Sequence, residues 1–272
     1  MAMAGGAAAL TIDGLLVEPM RPRLVRQELW LRRWPSRMDG FTIALLSDLH
    51  YDPVFSIHPI RLAVEMVNEL HPDLVAITGD FVTAPLLGNR RRAAADAEPC
   101  ADLLRGLQAP QGLWAVMGNH DADAGERQVA GALRAAGISV LSNLAAPVES
   151  NGGRFWLAGV EDVLTQNSDL VEALHHVPPD EAVVLLAHEP DYADYVARYP
   201  VDLQLSGHSH GGQVRLPWLR PLFLPPLAKK YYWGLHRIAE LTLYTNAGLG
   251  TIRIPVRLNC PPEITWMTIR RG

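Results

Sequence analysis

Short apolar runs along the chain end abruptly in polar, glycine-containing clusters, and amphipathic stretches separate one run from the next. Phe41–Ser47 (FTIALLS) is continuous rather than alternating, the pattern of a strand covered on both faces. His58–Leu70 then places Ile60, Val64, Val67 and Leu70 along one face of a helix. The same signals predict strands at Leu74–Thr78, Gly112–Met117, Phe155–Val160, Ala182–Ala187 and Leu203–Ser206. Helices are expected at Ala93–Leu107 and Gly125–Ala136, and near Asp169–His175 and Asp191–Ala197. A lone strand at Val25–Leu31 precedes the series. Ala239–Asn246 and Glu263–Arg270 follow it as strands with no helix between them. No repeat or low-complexity linker divides the chain, so residues 22–272 read as a single α/β domain layered α/β/β/α.

Residues 1–21 stand apart. Their opening, MAMAGGAAALTIDGLLV, is rich in Ala, Gly and Leu, is interrupted by Asp13, and has no Lys or Arg before it. It falls short of the ~20 apolar residues of a membrane span and lacks the basic start of a secretory signal. Two readings stand: the remnant of an apolar anchor or signal, or a loosely packed start.

Composition narrows the classes. The 272 residues are 49% apolar, enough to build a large core and too much for a disordered chain. With 24 Lys and Arg against 29 Asp and Glu the net charge is -5, and no basic run exceeds three residues. Such a chain grips a nucleic-acid backbone poorly, and no nucleic-acid partner is expected. Two cysteines, Cys100 and Cys260, exclude a disulfide scaffold and a cysteine-based zinc module. Whether they pair, and how many copies of the chain associate, is not legible here.

The ten histidines change the picture, because five of them lie in clusters that directly follow a predicted strand. These clusters are Asp48-Leu49-His50, Gly79-Asp80-Phe81, Gly118-Asn119-His120-Asp121, Ala187-His188-Glu189 and Gly207-His208-Ser209-His210. On an extended backbone Asp48 and His50 point the same way, an expected half-site for a metal. Singly, each cluster has an ordinary reading as a surface turn, a hydrogen-bonded core histidine or a loop cap. Five together at strand ends, where such folds gather ligand chemistry, point to a metal site.

In order, the motifs SDLH, TGDF, MGNHD, AHEP and SGHSHGGQ resemble the calcineurin-like metallophosphoesterase superfamily, from about residue 41 onward. GHSHGGQVRLP with its apolar continuation is similar to a bacterial membrane-associated phosphodiesterase branch, itself close to UDP-2,3-diacylglucosamine pyrophosphatase-like enzymes. The resemblance implies a four-layer sandwich and two divalent cations. One would take Asp48, His50 and His210, the other Asn119, His188 and His208, and Asp80 would bridge them. It further implies that a metal-bridging hydroxide attacks phosphorus in line while the cations absorb charge on the phosphoryl oxygens. His120 would protonate the leaving oxygen or stabilise the transition state. Asp121 would orient the His120 ring or cap the helix that follows. An Asp, His and Asn donor set without thiolate suits Mn, Fe or Zn, and Mn is first because related bacterial enzymes use it.

The expected reaction is therefore hydrolysis of a phosphodiester or pyrophosphate bond. The substrate is expected to be lipid-linked or at a membrane surface. The alternatives are a phosphomonoesterase on the same centre and a non-catalytic metal-binding scaffold. Glu161 and Asp162 follow a strand and read either as substrate groups or as a solvated turn. His175 and His176 read as surface residues at a helix end, and His58, His71 and His236 as ordinary. Val214–Trp233 is apolar, basic and aromatic, and its four prolines exclude a regular helix or a central strand. It reads as a peripheral membrane contact, or equally as a flap packed on its own domain. The expected location is membrane-associated or at the cytoplasmic face of a bacterial inner membrane, with export left open.

Overall fold

The computed structural model describes residues 13–84 and 90–272. Two six-stranded sheets lie face to face. The first has the order β1 (Arg23–Leu31), β12 (Glu263–Arg271), β2 (Phe41–Leu46), β3 (Leu74–Ile77), β4 (Leu113–Ala115), β5 (Ile138–Val140). The second runs β10 (Gly234–Ile238), β11 (Leu241–Thr245), β9 (Leu203–Ser206), β8 (Val183–Leu186), β7 (Gly153–Gly159), β6 (Leu144–Ser150). β2 to β5 are parallel, as are β7, β8, β9 and β11, while β10 and β6 close the second sheet as antiparallel edges.

Every residue of β3, β8 and β9 is buried, which is why the apolar runs of β3 and β8 do not alternate; in β9 the buried Gln204 and Ser206 bond to each other at 3.0 Å. Ile43, Leu45, Ala76, Leu157, Val184, Leu186 and Met267 fill the space between the sheets. Trp34 and Phe41 both pack on Phe155 there, with ring centroids at 4.7 and 5.4 Å. The outer face of the first sheet carries α1 (Ile57–Leu70), α2 (Arg90–Ala95), α3 (Ala97–Leu104) and α4 (Asn119–Ala135). α1 buries Ile60, Ala63, Val64 and Val67 on one side, as its spacing requires. α5 (Leu170–Leu174) and α6 (Ala193–Val196) cover the second sheet over Ala158, Val183, Leu185 and Leu243. The result is the expected α/β/β/α order.

Several expectations need correction. The helix expected at Ala93–Leu107 is two helices, α2 and α3, meeting at Asp96. The helix expected at Gly125–Ala136 begins six residues earlier, and Gly125 itself leaves helical geometry with φ 139°. The strand expected at Ala239–Asn246 is one arm of a β10–β11 hairpin, with Ala239 at its turn in left-handed geometry. β5 has three residues and β6 is an edge strand interrupted by Pro147, so neither produced a pattern. Of the opening segment, residues 1–12 lie outside the described residues; Asp13–Met20 form two short helical turns, and Gly14 O accepts from Arg257 N at 2.9 Å.

Candidate metal centre

Loops after β2, β3, β8 and β9 and the start of α4 meet at one edge of the sandwich. Five residues there have left-handed backbones: Asp48 (φ 48°), His50 (42°), Asp80 (56°), His208 (67°) and His210 (51°). Non-glycine residues adopt this geometry rarely, and only where their surroundings hold them in it. β2 ends at Leu46, so tight turns bring Asp48 and His50 together, not the pleat alternation expected from sequence. The turns are fixed by backbone bonds: Asp48 N donates to Gly79 O and His50 N to Asp80 O, both at 2.9 Å, and Gly250 N donates to Asp48 O at 2.7 Å. Glycine is required at 207 and 118 by closeness. A Cβ on Gly207 would overlap Ser47 and Asp48, and one on Gly118 would overlap Asp80.

Asp80 stands at the middle. Its Oδ2 is 3.4 Å from His50 Nε2 and 3.3 Å from His188 Nε2. On one side His50 Nε2 lies 3.0 Å from His210 Nε2, which is 3.4 Å from Asp48 Oδ1. On the other, His188 Nε2 lies 3.2 Å from His208 Nδ1. Asp48–His50–His210 and Asp80–His188–His208 are each compact enough to hold a cation. Asn119 Oδ1 is buried without any hydrogen-bond partner. Burial alone would raise the Asp80 carboxyl, but His188, His50 and His120 hold it well below the usual carboxylate range.

Ring tautomers decide whether a cation fits. His188 Nδ1 donates to Thr78 O at 2.6 Å, and His208 Nε2 donates to Pro226 O at 2.8 Å. Burial lowers the His208 pKa to about 3, so its Nδ1 facing His188 is bare. Burial opposes charge on His188 too, but Asp80 and Asp48 raise its pKa well above the usual imidazole value, so its Nε2 carries a proton toward Asp80 and His208. A cation taking that proton's place would meet both nitrogens and the Asp80 carboxylate. Carbonyl-fixed imidazoles of this kind are how proteins aim histidine at metals. The donors are nitrogen and oxygen only, since Cys100 and Cys260 are buried and free.

His120 and Asp121 are held by separate sets of bonds. His120 Nδ1 accepts from Ala84 N at 3.0 Å, so the neutral ring carries its proton on Nε2. A ring nitrogen of His120 lies within 4.8 Å of both the Asp80 and His50 donor atoms. Burial pushes its pKa down, with Asp80 opposing the shift. The buried Asp121 carboxylate accepts from four amides: Asp80 N (2.8 Å), Phe81 N (2.8 Å), Val82 N (3.1 Å) and Gly118 N (3.0 Å). It thus braces the Asp80 turn and the start of α4 and does not orient the His120 ring. Its bond from Gly118 N caps the start of α4 at Asn119, so the capping expected of it falls six residues before the helix start expected at Gly125. Burial, with Asp80 beside it, raises its pKa to about 7.

A family description of calcineurin-like phosphoesterases matches residues 41–212, more than half of the chain and all five clusters at this edge. The chain belongs to the calcineurin-like phosphoesterase family. Among curated relatives, the Bacillus subtilis metallophosphoesterase YkuE is 34% identical over 238 residues, covering 87% of this chain and 81% of its own. Escherichia coli phosphodiesterase YaeI is 32% identical over 232 residues, covering 84% and 82%. A Danio rerio transmembrane protein with a metallophosphoesterase domain is 32% identical over 282 residues, covering 97% of this chain and 61% of that protein. Among solved structures, Haemophilus influenzae NAD nucleotidase superposes with a TM-score of 0.53 at 15% identity, covering 77% of this chain and 45% of that one. A Thermus thermophilus 5'-nucleotidase precursor gives 0.51 at 18%, covering 84% and 55%. The chain thus spans about half of these nucleotidases, and the likeness is one of fold. As a metallophosphoesterase, the chain is a metal-dependent hydrolase of phosphoesters.

The family's motif residues converge, and residues with no motif support them. Arg257, fully buried, donates to the carbonyls of Ala247, Gly248, Gly250 and Cys260, at 3.0 Å to all but Gly250, which Nε reaches at 3.1 Å. It thereby fixes the loop whose Gly250 N holds Asp48. Cys260 in turn donates from Sγ to His210 O at 3.2 Å. The signal available in sequence was Asn246-Ala247-Gly248 directly after a strand, the same placement as the other clusters. Asp162 is buried in a turn, accepting from Thr165 N at 2.8 Å, and Glu161 accepts from Ser142; neither joins a metal cluster among the described residues.

Proposed function

We propose that this metallophosphoesterase hydrolyses a phosphodiester or pyrophosphate bond. Asp48, His50 and His210 hold one divalent cation, Asn119, His188 and His208 a second, and Asp80 is shared by both. The observation that carries this is Asp80 Oδ2 between His50 Nε2 and His188 Nε2, at 3.4 and 3.3 Å. When bound, the two cations, with Mn as our first assignment, supply an activated water and Lewis-acid relief of phosphoryl charge.

The chain's own residues do the rest. His120, neutral through burial and protonated on Nε2, donates a hydrogen bond from Nε2 to the leaving or phosphoryl oxygen and stabilises the charge that builds there. Its backbone N donates to Asp80 Oδ1 at 2.9 Å, so the hydrogen-bond donor and the shared carboxylate move as one unit. Asp121 keeps that unit rigid through its four amide bonds.

Two features favour a diester or pyrophosphate substrate at a lipid surface, at the membrane of a bacterial cell. One relative is named a phosphodiesterase, and others are named transmembrane proteins. The apolar segment 214–233 begins beside His210 and touches His208 through Pro226. The test compares Mn-loaded protein on an aryl phosphodiester, the matching monoester and a pyrophosphate-linked lipid. Faster turnover of the diester or pyrophosphate is expected. A strong monoester preference would make the protein a phosphomonoesterase instead.

A further inference from the structure

The chain's charge is unevenly distributed. Between Asp202 and Glu263 there is a single carboxylate, Glu240, against seven Lys and Arg, although the whole chain carries -5. Arg257 is buried and Lys230 pairs with Asp194. Arg215, Arg220 and Arg253 pair with no carboxylate among the described residues. Arg215 instead lies over the Trp233 ring at 4.3 Å, Arg253 over Phe223 at 4.6 Å, and Arg220 over Tyr232 at 5.9 Å.

Those arginines are set among the largest exposed apolar side chains of the molecule. Trp218 is fully exposed, Leu222 is 77% and Leu219 61% exposed, and Ile254 and Phe223 are more than half exposed. The contact of Arg253 with Phe223 joins the 251–255 turn to the 214–227 loop as one surface. A single solvent-exposed leucine is ordinary; a contiguous apolar tip ringed by cations is not. The base of this tip is firm. Pro226 O accepts from His208, Leu227 O accepts from Asp191 N at 2.8 Å, and Pro221 packs where a side chain on Gly212 would stand.

We propose that Trp218, Leu219, Leu222, Phe223 and Ile254, with Arg215, Arg220 and Arg253, form a docking surface for an anionic lipid bilayer. The apolar tip enters the headgroup boundary, while the arginines lie along it with guanidinium groups at the phosphate level. Because the tip is tied to His208, docking sets the metal centre at the lipid–water boundary. This identifies the partner of the lipid-surface reading given above and rests on that reading only for its purpose; the binding itself needs no turnover.

The experiment is co-sedimentation of the full chain with phosphatidylglycerol-containing vesicles and with pure phosphatidylcholine vesicles, at low and high salt. Binding to the anionic vesicles that weakens with salt is expected, with little binding to phosphatidylcholine. Leu222→Ser with Phe223→Ser should lower partitioning by about tenfold or more. Arg220→Glu with Arg253→Glu should abolish the preference for anionic lipid. Circular dichroism melts report that each variant is folded. Binding by the Leu222→Ser, Phe223→Ser chain equal to the parent's, or equal binding to both vesicle types, would overturn the proposal. So would a concentration-dependent dimer that the same substitutions dissolve, since a second copy would then be the occupant. Asp80→Asn protein should bind vesicles like the parent, so a failure of docking and a failure of the hydrolase reading remain separate results.

Discussion

His208 Nδ1 faces His188 Nε2 at 3.2 Å, and each ring's other nitrogen is committed to a backbone carbonyl. With the Asp80 carboxylate beside them, both nitrogens face one point, and a cation bound there stabilises only the folded chain, so metal occupancy and stability are linked. A cation at ~100-fold excess over its Kd adds about 2.7 kcal/mol, or roughly 5–10 °C in melting temperature for a chain of this size. Chelation should lower the melting temperature by that order and added Mn should restore it. A melting curve indifferent to both would contradict the cation assignment. His208→Ala should leave one metal equivalent after loading where the parent holds two.

Asp80 and His120 should fail in different ways. Asp80→Asn weakens the shared ligand, so both metal content and hydrolysis should fall. His120→Ala should reduce kcat by about 10²–10⁴-fold with both metal equivalents retained. Metal analysis beside steady-state kinetics separates the two outcomes, and full activity in either variant would exclude the proposed roles.

Asp121→Asn tests bracing against catalysis. The amide has one acceptor oxygen for positions where four amides now donate, so stability should fall by about 3 kcal/mol or more. Calorimetry should show the loss. A drop in kcat with an unchanged melting temperature would instead tie Asp121 to the His120 ring.

Gly207→Ala should disable the Asp48 side of the centre, because the added methyl meets Ser47 and the Asp48 carboxylate. Gly131→Ala in α4 is the control: nothing lies within 4 Å of its new Cβ, and a gain of roughly 0.5–1 kcal/mol is expected. Equal thermal and metal-binding profiles for the two variants would show that crowding at Gly207 is relieved at no cost.

Arg257→Met should orphan the carbonyls of Ala247, Gly248, Gly250 and Cys260 and release the loop that holds Asp48. We expect weaker affinity for the first metal equivalent by isothermal titration, beyond the fall in melting temperature, with partial rescue by Arg257→Lys. Unchanged metal affinity would confine Arg257 to structural support.

Much of this was legible in sequence because chemistry and topology coincide. Asp48, Asp80, His188 and His208 each follow a largely buried strand, and parallel strands send such ends to one edge. The geometry that makes them converge was not legible. Left-handed turns at Asp48, His50 and Asp80 depend on contacts with Gly79, Gly118 and Gly250 across the chain, and no local pattern encodes those contacts. Asp121 misled for a related reason: beside a histidine in sequence, its carboxylate turns to the amides of residues 80–82, some forty positions earlier. Arg257 itself left no signal, only the Asn246-Ala247-Gly248 cluster it supports, since a buried arginine bonded to backbone carbonyls looks in sequence like any exposed one.

The place of β12 in its sheet has a consequence in time. It lies between β1 and β2, pairing Arg23–Leu31 with Glu263–Arg271, and it follows every other strand in the sequence. During synthesis β1 therefore emerges with no partner, and β2 keeps an open edge until more than two hundred further residues have been made. Gly250, which holds Asp48, also arrives late. Closing so long a separation is slow and leaves an unpaired strand exposed meanwhile. The nascent chain thus carries Asp48, Asp80, Asn119 and the clustered histidines long before Gly250 and β12 arrive to complete their surroundings. If these residues bind metal as proposed, capture should fall late in folding, after nearly all of the domain has been synthesised.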